Sequence, residues 1–184
     1  MSLYKKCIPD FYYESILEIP YKKLQEQGIN TLFFDLDNTI ISYDEDELND
    51  EQINFLLELS KIFQIVVLSN SGFKRVSKAL SQTTFPYVYH SAKPTKIGFK
   101  KALKKVHAKK EEIIVIGDQL MTDILGANRM GFKACLIRSV KRKSDRKITQ
   151  FNRKIEKFML RKIEKKYPKL YIERLEKYVS DHQM

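Results

Sequence analysis

A chain of 184 residues suffices for one domain with a packed core and is short for two. With 43% hydrophobic residues and a mean hydropathy of -0.40 it reads as an ordinary folded protein. Its longest aliphatic runs, Ile65–Leu68 and Ile113–Ile116, are far too short to cross a bilayer, and no N-terminal stretch has the make-up of a secretory signal. Two cysteines, Cys7 and Cys135, exclude a disulfide framework or a cysteine metal cluster, so the cytoplasm is the expected compartment.

The net charge of +11 is unevenly placed. Residues 1–132 hold 17 Lys/Arg and 17 Asp/Glu, whereas residues 133–184 hold 17 basic and 6 acidic residues. A basic tail suggests a polyanionic partner, such as an anionic membrane face, nucleic acid or an acidic substrate; a solvated helix face that only aids solubility is the plainer alternative.

In chain order, Thr31–Asp35 (TLFFD) reads as a buried strand that stops at a carboxylate. Leu48–Ile62 carries apolar residues at helical spacing. Gln64–Ser69 is a second strand, Phe73–Leu80 a short helix and Tyr87–Tyr89 a weak third strand. Pro94 suits the first turn of a helix that runs through Ile97, Phe99, Ala102, Leu103 and Val106. Glu112–Gly117 is a strong strand, Met121–Arg129 a helix closed by Gly131, and Phe132–Ile137 a fifth strand. Strands and helices that alternate in this way imply a parallel sheet covered on both faces, with ligands outside the carboxyl ends of its strands.

Residues 1–137 therefore form the expected catalytic core, with an N-terminal extension. Residues 138–184 form the expected basic helical tail, with Ile148, Phe151, Ile155, Phe158, Met159 and Ile163 at helical spacing. That stripe predicts packing on the core; a basic amphipathic helix lying on a membrane is the competing reading.

The unusual polar residues sit where the strands end. Asp35 and Asp37, two positions apart, suit a nucleophile that also binds metal and an acid/base partner. Ser69 and Asn70 could receive a phosphoryl oxygen, or Ser69 could cap a helix. Lys93, beside Pro94, could neutralise a phosphate or the nucleophilic carboxylate. Asp118 and Asp123 follow the strongest strand and would complete an oxygen-rich site of the kind Mg²⁺ prefers, Asp118 binding it directly and Asp123 acting through water or by orienting Lys93.

The ordered set Asp35-x-Asp37-x-Thr39, Ser69, Lys93 and Gly117-Asp118-x4-Asp123 resembles the four motifs of the haloacid-dehalogenase (HAD) superfamily. The likeness implies a Rossmann-like three-layer α/β sandwich on a mainly parallel five-stranded sheet, and a phosphatase working through an aspartyl-phosphate. It implies Asp35 as nucleophile and metal ligand, and Asp37 as general acid/base with its backbone carbonyl on the metal. Ser69 would bind phosphate, Lys93 would stabilise charge and Asp118 would ligate Mg²⁺. An acid at position 37 favours a phosphatase over the superfamily's dehalogenases and ion-pumping ATPases. Cys7–Tyr12, Gly28-Ile29, Gly126–Gly131 and Arg153…Glu156 further resemble the YqeG-type branch, whose eukaryotic relatives dephosphorylate phosphatidylglycerophosphate. Ile41-Ser42-Tyr43 and Ala127 depart from that branch's pattern, at non-catalytic positions.

Only 29 residues separate Thr39 from Ser69, and 23 separate Ser69 from Lys93, so no cap domain is expected. An open site suits a phosphate carried on something large. The leading expectation is a lipid phosphate such as phosphatidylglycerophosphate, with residues 138–180 on the anionic inner membrane face and Asn128 and Arg129 near the headgroup. Phosphorylated nucleic-acid ends, phosphoproteins and a non-catalytic RNA- or ribosome-binding scaffold are the alternatives; nucleic acid is the less favoured partner, because the tail shows no aromatic stacking platform.

Overall fold

The computed structural model describes residues 2–140 and 147–181, with the backbone alone described for 147–154. Its centre is a six-stranded sheet, every pairing parallel, in the order β1-β6-β5-β2-β3-β4. The strands are β1 (Phe11–Tyr13), β2 (Thr31–Asp35), β3 (Gln64–Leu68), β4 (Tyr87–Val88), β5 (Ile113–Gly117) and β6 (Lys133–Ile137). The sequence led us to expect five strands; β1 is the addition. Its three residues are too few to show a period, and the edge place comes from its register, Phe11 opposite Cys135 and Tyr13 opposite Ile137. Asp10 prepares that register, its N–H donating to Ala134 O (2.8 Å) and its Oδ2 accepting from Ala134 N (2.9 Å).

Between the strands run α1 (Tyr21–Glu26), α2 (Asp50–Ser60), α3 (Phe73–Ala79), α4 (Lys96–Leu103) and α5 (Leu125–Met130); α6 (Lys147–Lys166), α7 (Pro168–Arg174) and α8 (Glu176–Asp181) follow the sheet. Asn49 and Gln52 start α2 with a reciprocal capping box. Gly131, at φ 81°, ends α5 in the left-handed conformation glycine tolerates best. Pro94 does not open α4 as expected. It follows Lys93 through a cis peptide bond, and Thr95 caps the helix one residue later.

β2 and β5 are buried at all five positions, as strands covered on both faces must be. Phe33, Val66, Val115 and Leu136 point to one face, against Phe99, Ala102, Ala127 and Met130. Leu32, Val67, Ile116 and Ile137 point to the other, against Leu24, Leu56, Leu59 and Val76.

The helices after the sheet join the first face. Met159, Leu160 and Ile163 of α6, with Leu175 and Tyr178, are buried in the same cluster as Phe33. Burying a side chain of this size contributes about 1.5–3 kcal/mol, so this stripe serves packing and is closed to a membrane. The outer positions Lys157, Phe158, Arg161, Lys162, Lys165 and Lys166 are exposed. Ile148 and Phe151 lie outside the described side chains. Polar ties fix the tail further: the Tyr12 hydroxyl donates to Asp181 Oδ2 (2.7 Å) and Arg174 Nη1 to Pro9 O (3.1 Å).

Candidate active site

The carboxyl ends of β2, β3 and β5 converge on one cluster of acids. β2 ends in Asp35, and the chain then turns tightly, with Thr39, Ile40 and Ile41 all donating their N–H to Leu36 O. Asn38 makes the turn possible. It sits at φ 64°, a region asparagine tolerates better than most residues, and its Oδ1 accepts from Tyr43 N (3.1 Å). The turn returns Thr39 over Asp35, where its hydroxyl donates to Oδ2 (3.1 Å).

Lys93 reaches the same carboxylate from the loop before α4. Its Nζ lies 2.5 Å from Asp35 Oδ1 and 2.7 Å from Asp123 Oδ1, and donates to Leu68 O (2.9 Å). Three acceptors around one buried ammonium leave it fixed in direction. Burial alone would lower the Lys93 pKa; Asp123 and Asp35 outweigh it and hold the amine charged. Asp35 is pushed up to about 7 chiefly by burial, with Lys93 opposing and Asp123 and Asp37 adding to the rise.

Asn70 sets the position of Lys93. Its Oδ1 accepts from Lys93 N and from the Ser91 hydroxyl (2.8 Å each), and its Nδ2 donates to Lys93 O (3.1 Å). Asn70, expected at the phosphate, has its side chain engaged in holding this loop. His90 (φ 44°) and Ala92 (φ 54°) carry the loop's unusual backbone.

After β5 the chain makes one wide π turn, Leu120–Ile124, before α5. The turn brings Asp123 back under Gly117, and its Oδ2 accepts from Gln119 N and the Thr122 hydroxyl (3.2 Å each). Its Oδ1 faces Lys93 Nζ at 2.7 Å and accepts no hydrogen bond of good geometry among the described residues, so Asp123 can both orient Lys93 and join a metal site. Asp118 Oδ1 is likewise buried with no hydrogen-bond partner among the described residues. Its pKa is raised well above the usual carboxylate range, by burial first and then by Asp35 and Asp123; Glu156 of α6 adds to the rise. Carboxylate oxygens of Asp35, Asp118 and Asp123 lie within 4.8 Å of one another. A buried orphan oxygen among acids is expensive unless protonated or paired with a cation, and an all-oxygen donor set suits a hard divalent ion.

Asp37 stands apart from this cluster. Its Oδ2 accepts from the hydroxyls of Ser69 (3.1 Å) and Ser71 (2.7 Å), and its Oδ1 pairs with Arg75 Nε (2.9 Å). Among the metal ligands expected from sequence, Asp37 is thus the one whose side chain lies outside the acid cluster. Ser69 does not cap α3, a position taken by Gly72; its hydroxyl faces Asp37 and accepts from Ser71 N (3.0 Å).

Ser71 and Arg75 escaped the sequence reading. Besides Asp37, Arg75 holds the carbonyls of Ser42, Glu45 and Asp46 and lies over the Tyr43 ring. The only trace of this in sequence is a basic residue in the first turn of a helix, where the dipole disfavours one. Asn128 and Arg129, expected near a headgroup, have structural partners. Asn128 Nδ2 donates to Lys6 O (2.9 Å) and Ile8 O (3.0 Å), and Arg129 Nη1 to Pro94 O (3.2 Å).

Comparison with known proteins agrees with this geometry. A family model described as HAD-hydrolase-like matches residues 90–167. A Bacillus subtilis (strain 168) protein described as the probable phosphatase YqeG is 33% identical over 165 residues, covering 89% of this chain and 95% of its own. Among solved structures, the putative HAD-hydrolase YfnB from Bacillus subtilis, determined bound to magnesium, superposes with a TM-score of 0.50 at 15% identity, covering 59% of this chain and 86% of that one. An uncharacterised protein from Listeria monocytogenes serotype 4b gives 0.49 at 19% identity, covering 64% and 85%. The likeness to YfnB carries the fold. The identity to YqeG, sustained over almost the whole length of both chains, carries the family: this chain is a HAD-type phosphatase of the YqeG branch.

Proposed function

We propose that this phosphatase is Mg²⁺-dependent, works through an aspartyl-phosphate on Asp35, and takes a lipid phosphate such as phosphatidylglycerophosphate. The observation that carries the chemistry is the buried Lys93 ammonium bridging Asp35 and Asp123 beside the orphan oxygen of Asp118.

Asp35 and Asp118 would hold the metal with the Asp37 backbone carbonyl, and the ion would supply positive charge to the phosphoryl oxygens. The protein's own groups do the rest. Thr39 and Lys93 bind the two Asp35 oxygens and fix the carboxylate's direction. An Asp35 oxygen attacks phosphorus; its new P–O bond forms as the bond to the leaving oxygen breaks. Asp37 gives that oxygen a proton, then takes one from the water that attacks phosphorus and releases phosphate from Asp35. Lys93, held charged, stays close to where negative charge gathers. To reach the leaving oxygen, Asp37 turns out of its contacts with Ser69, Ser71 and Arg75.

The lipid reading rests on access. The links Leu36–Asn49 and Ser69–Gly72, at the mouth of the site, carry no inserted domain. No described helix is long and apolar enough to cross a membrane. The substrate's phosphate must therefore come to an open site, and each exposed base near an anionic surface offers attraction of about 1 kcal/mol.

The test is phosphate release, with and without Mg²⁺, from micellar phosphatidylglycerophosphate, a small aryl phosphate, phosphopeptides and phosphorylated DNA ends. Asp35→Asn runs beside the wild type. We expect hydrolysis of the lipid above the others and none by the variant. Activity surviving in Asp35→Asn sinks the nucleophile; preference for peptide or DNA ends sinks the lipid.

A further inference from the structure

The charge in the first 132 residues cancels only in the sum. Residues 59–110 contain 12 Lys/Arg and no Asp or Glu, whereas Asp44-Glu45-Asp46-Glu47 form an unbroken acidic run. The fold sets these segments side by side at the mouth of the site. The acidic run belongs to the link between β2 and α2, where Arg75 and Lys78 hold it (Lys78 Nζ to Asp46 Oδ2, 2.7 Å). The acid-free segment builds β3, α3, β4 and α4 and gives the mouth a basic lip, whose α3 edge adjoins the acidic run.

The basic lip also carries apolar groups in the open. Phe73 is 53%, Tyr89 44% and Ile97 56% exposed. Phe73 follows the Ser69–Gly72 link, and its ring meets Tyr89 edge-on at 5.4 Å. Tyr89 and His90 follow β4, and His90 N donates to Ser71 O (2.9 Å). Ile97 lies in the first turn of α4, where the next residue, Gly98, is pressed against Ser91; a Cβ on Gly98 would lie 2.3 Å from Ser91 O. The apolar tips thus grow from the segments that supply Ser69, Asn70 and Lys93. Lys74, Lys96 and Lys100 are exposed among them.

We infer that this α3–β4–α4 lip, rather than the α6 tail, is the surface that sits on an anionic bilayer and brings the site to its substrate, an inference that rests on the lipid reading above. Apolar side chains enter the headgroup boundary while the lysines meet lipid phosphates, the division of labour of interfacial proteins. Nucleic acid fits less well. The two rings pack against each other at 71° rather than offering parallel faces to bases, and Ile97 gives no stacking surface.

The experiment is co-sedimentation of the full chain with phosphatidylcholine vesicles, with and without phosphatidylglycerol, at low salt. Two variants accompany it: Phe73→Ser/Lys96→Gln/Ile97→Ser on the lip and Lys162→Gln/Lys165→Gln/Lys166→Gln on the tail. Hydrolysis of a soluble aryl phosphate reports the intact site and should not change in either. We expect wild type to bind only the anionic vesicles and the lip variant to bind at least about tenfold more weakly. The tail variant should keep most of its binding. Loss of binding in the tail variant alone, no binding by wild type, or preference for RNA over vesicles would overturn the inference. Failure of the lipid reading shows separately, as wild type that hydrolyses the aryl phosphate and leaves micellar phosphatidylglycerophosphate untouched.

Discussion

Adding one methyl group at Gly117 should silence the enzyme without unfolding it. Gly117 ends β5, and a Cβ there would lie 2.4 Å from Asp123 Cγ and 2.6 Å from its Oδ2, where ordinary contact begins near 3.4 Å. The Asp123 carboxyl must retreat by about 1 Å, and a displacement of that size at a catalytic group costs on the order of 100-fold. The group displaced is the one that holds Lys93, at 2.7 Å, against Asp35. Overpacking of this kind costs about 1–3 kcal/mol, and a chain of this size loses about 2–4 °C of Tm per kcal/mol. Gly117→Ala should therefore be folded at 25 °C with kcat for an aryl phosphate down roughly 100-fold. Circular dichroism melts and steady-state kinetics read the two quantities separately. Gly131→Ala is the control. Its site is open, but its φ of 81° strains an alanine, so stability should fall by about 1–2 kcal/mol with kcat intact. A Gly117→Ala protein with unchanged kcat would refute the claim that Asp123 works by fixing Lys93.

Arg75→Ala leaves three backbone carbonyls and Asp37 without their guanidinium, at a cost of about 1–3 kcal/mol; kcat for the aryl phosphate should fall at least about tenfold. Arg75→Lys should recover part of the Asp37 pairing and little of the stability, since an ammonium lacks the fork; a lysine variant equal to wild type in both would remove the clamp. Asn128→Ala frees the carbonyls of Lys6 and Ile8 and should lower stability by roughly 2 kcal/mol in denaturant titration, with KM for micellar lipid unchanged; a rise in KM would restore Asn128 to the headgroup.

The acid cluster also predicts a pH response in metal-free protein. Asp35 titrates near 7 in the fold against 3.8 as a free carboxyl. The fold therefore binds this proton more tightly than the unfolded chain, and its contribution is full below about 3.8 and lost as pH rises through 7. Asp118 shifts the same way. In chelator, Tm should thus rise as pH is lowered from 8 to about 5.5, and added Mg²⁺ should raise Tm more at pH 8 than at 5.5. Equal metal response at both pH values would sink the assignment of these acids as its ligands.

The parallel arrangement and the ends of its strands were legible because their signals are local. Continuous apolar runs mean strands covered on both faces, and the polar residues that interrupt them mark where ligands bind. Asp35, Ser69, Lys93, Asp118 and Asp123 stood out on that ground and through their resemblance to known motifs. Tertiary structure alone decided what each one touches. Nothing in the chain says that Asn70 bonds the backbone 23 residues away, or that Arg75 gathers Asp37 and three carbonyls of the preceding link. Such bonds depend on two strand ends lying side by side. The sixth strand was hidden for the same reason, because three residues have no period until β6 gives them a register. Charge shows the distinction most clearly. The acid-free run was present in the sequence, but only the fold placed it along one lip of the site, with its Arg75 and Lys78 against the acidic run.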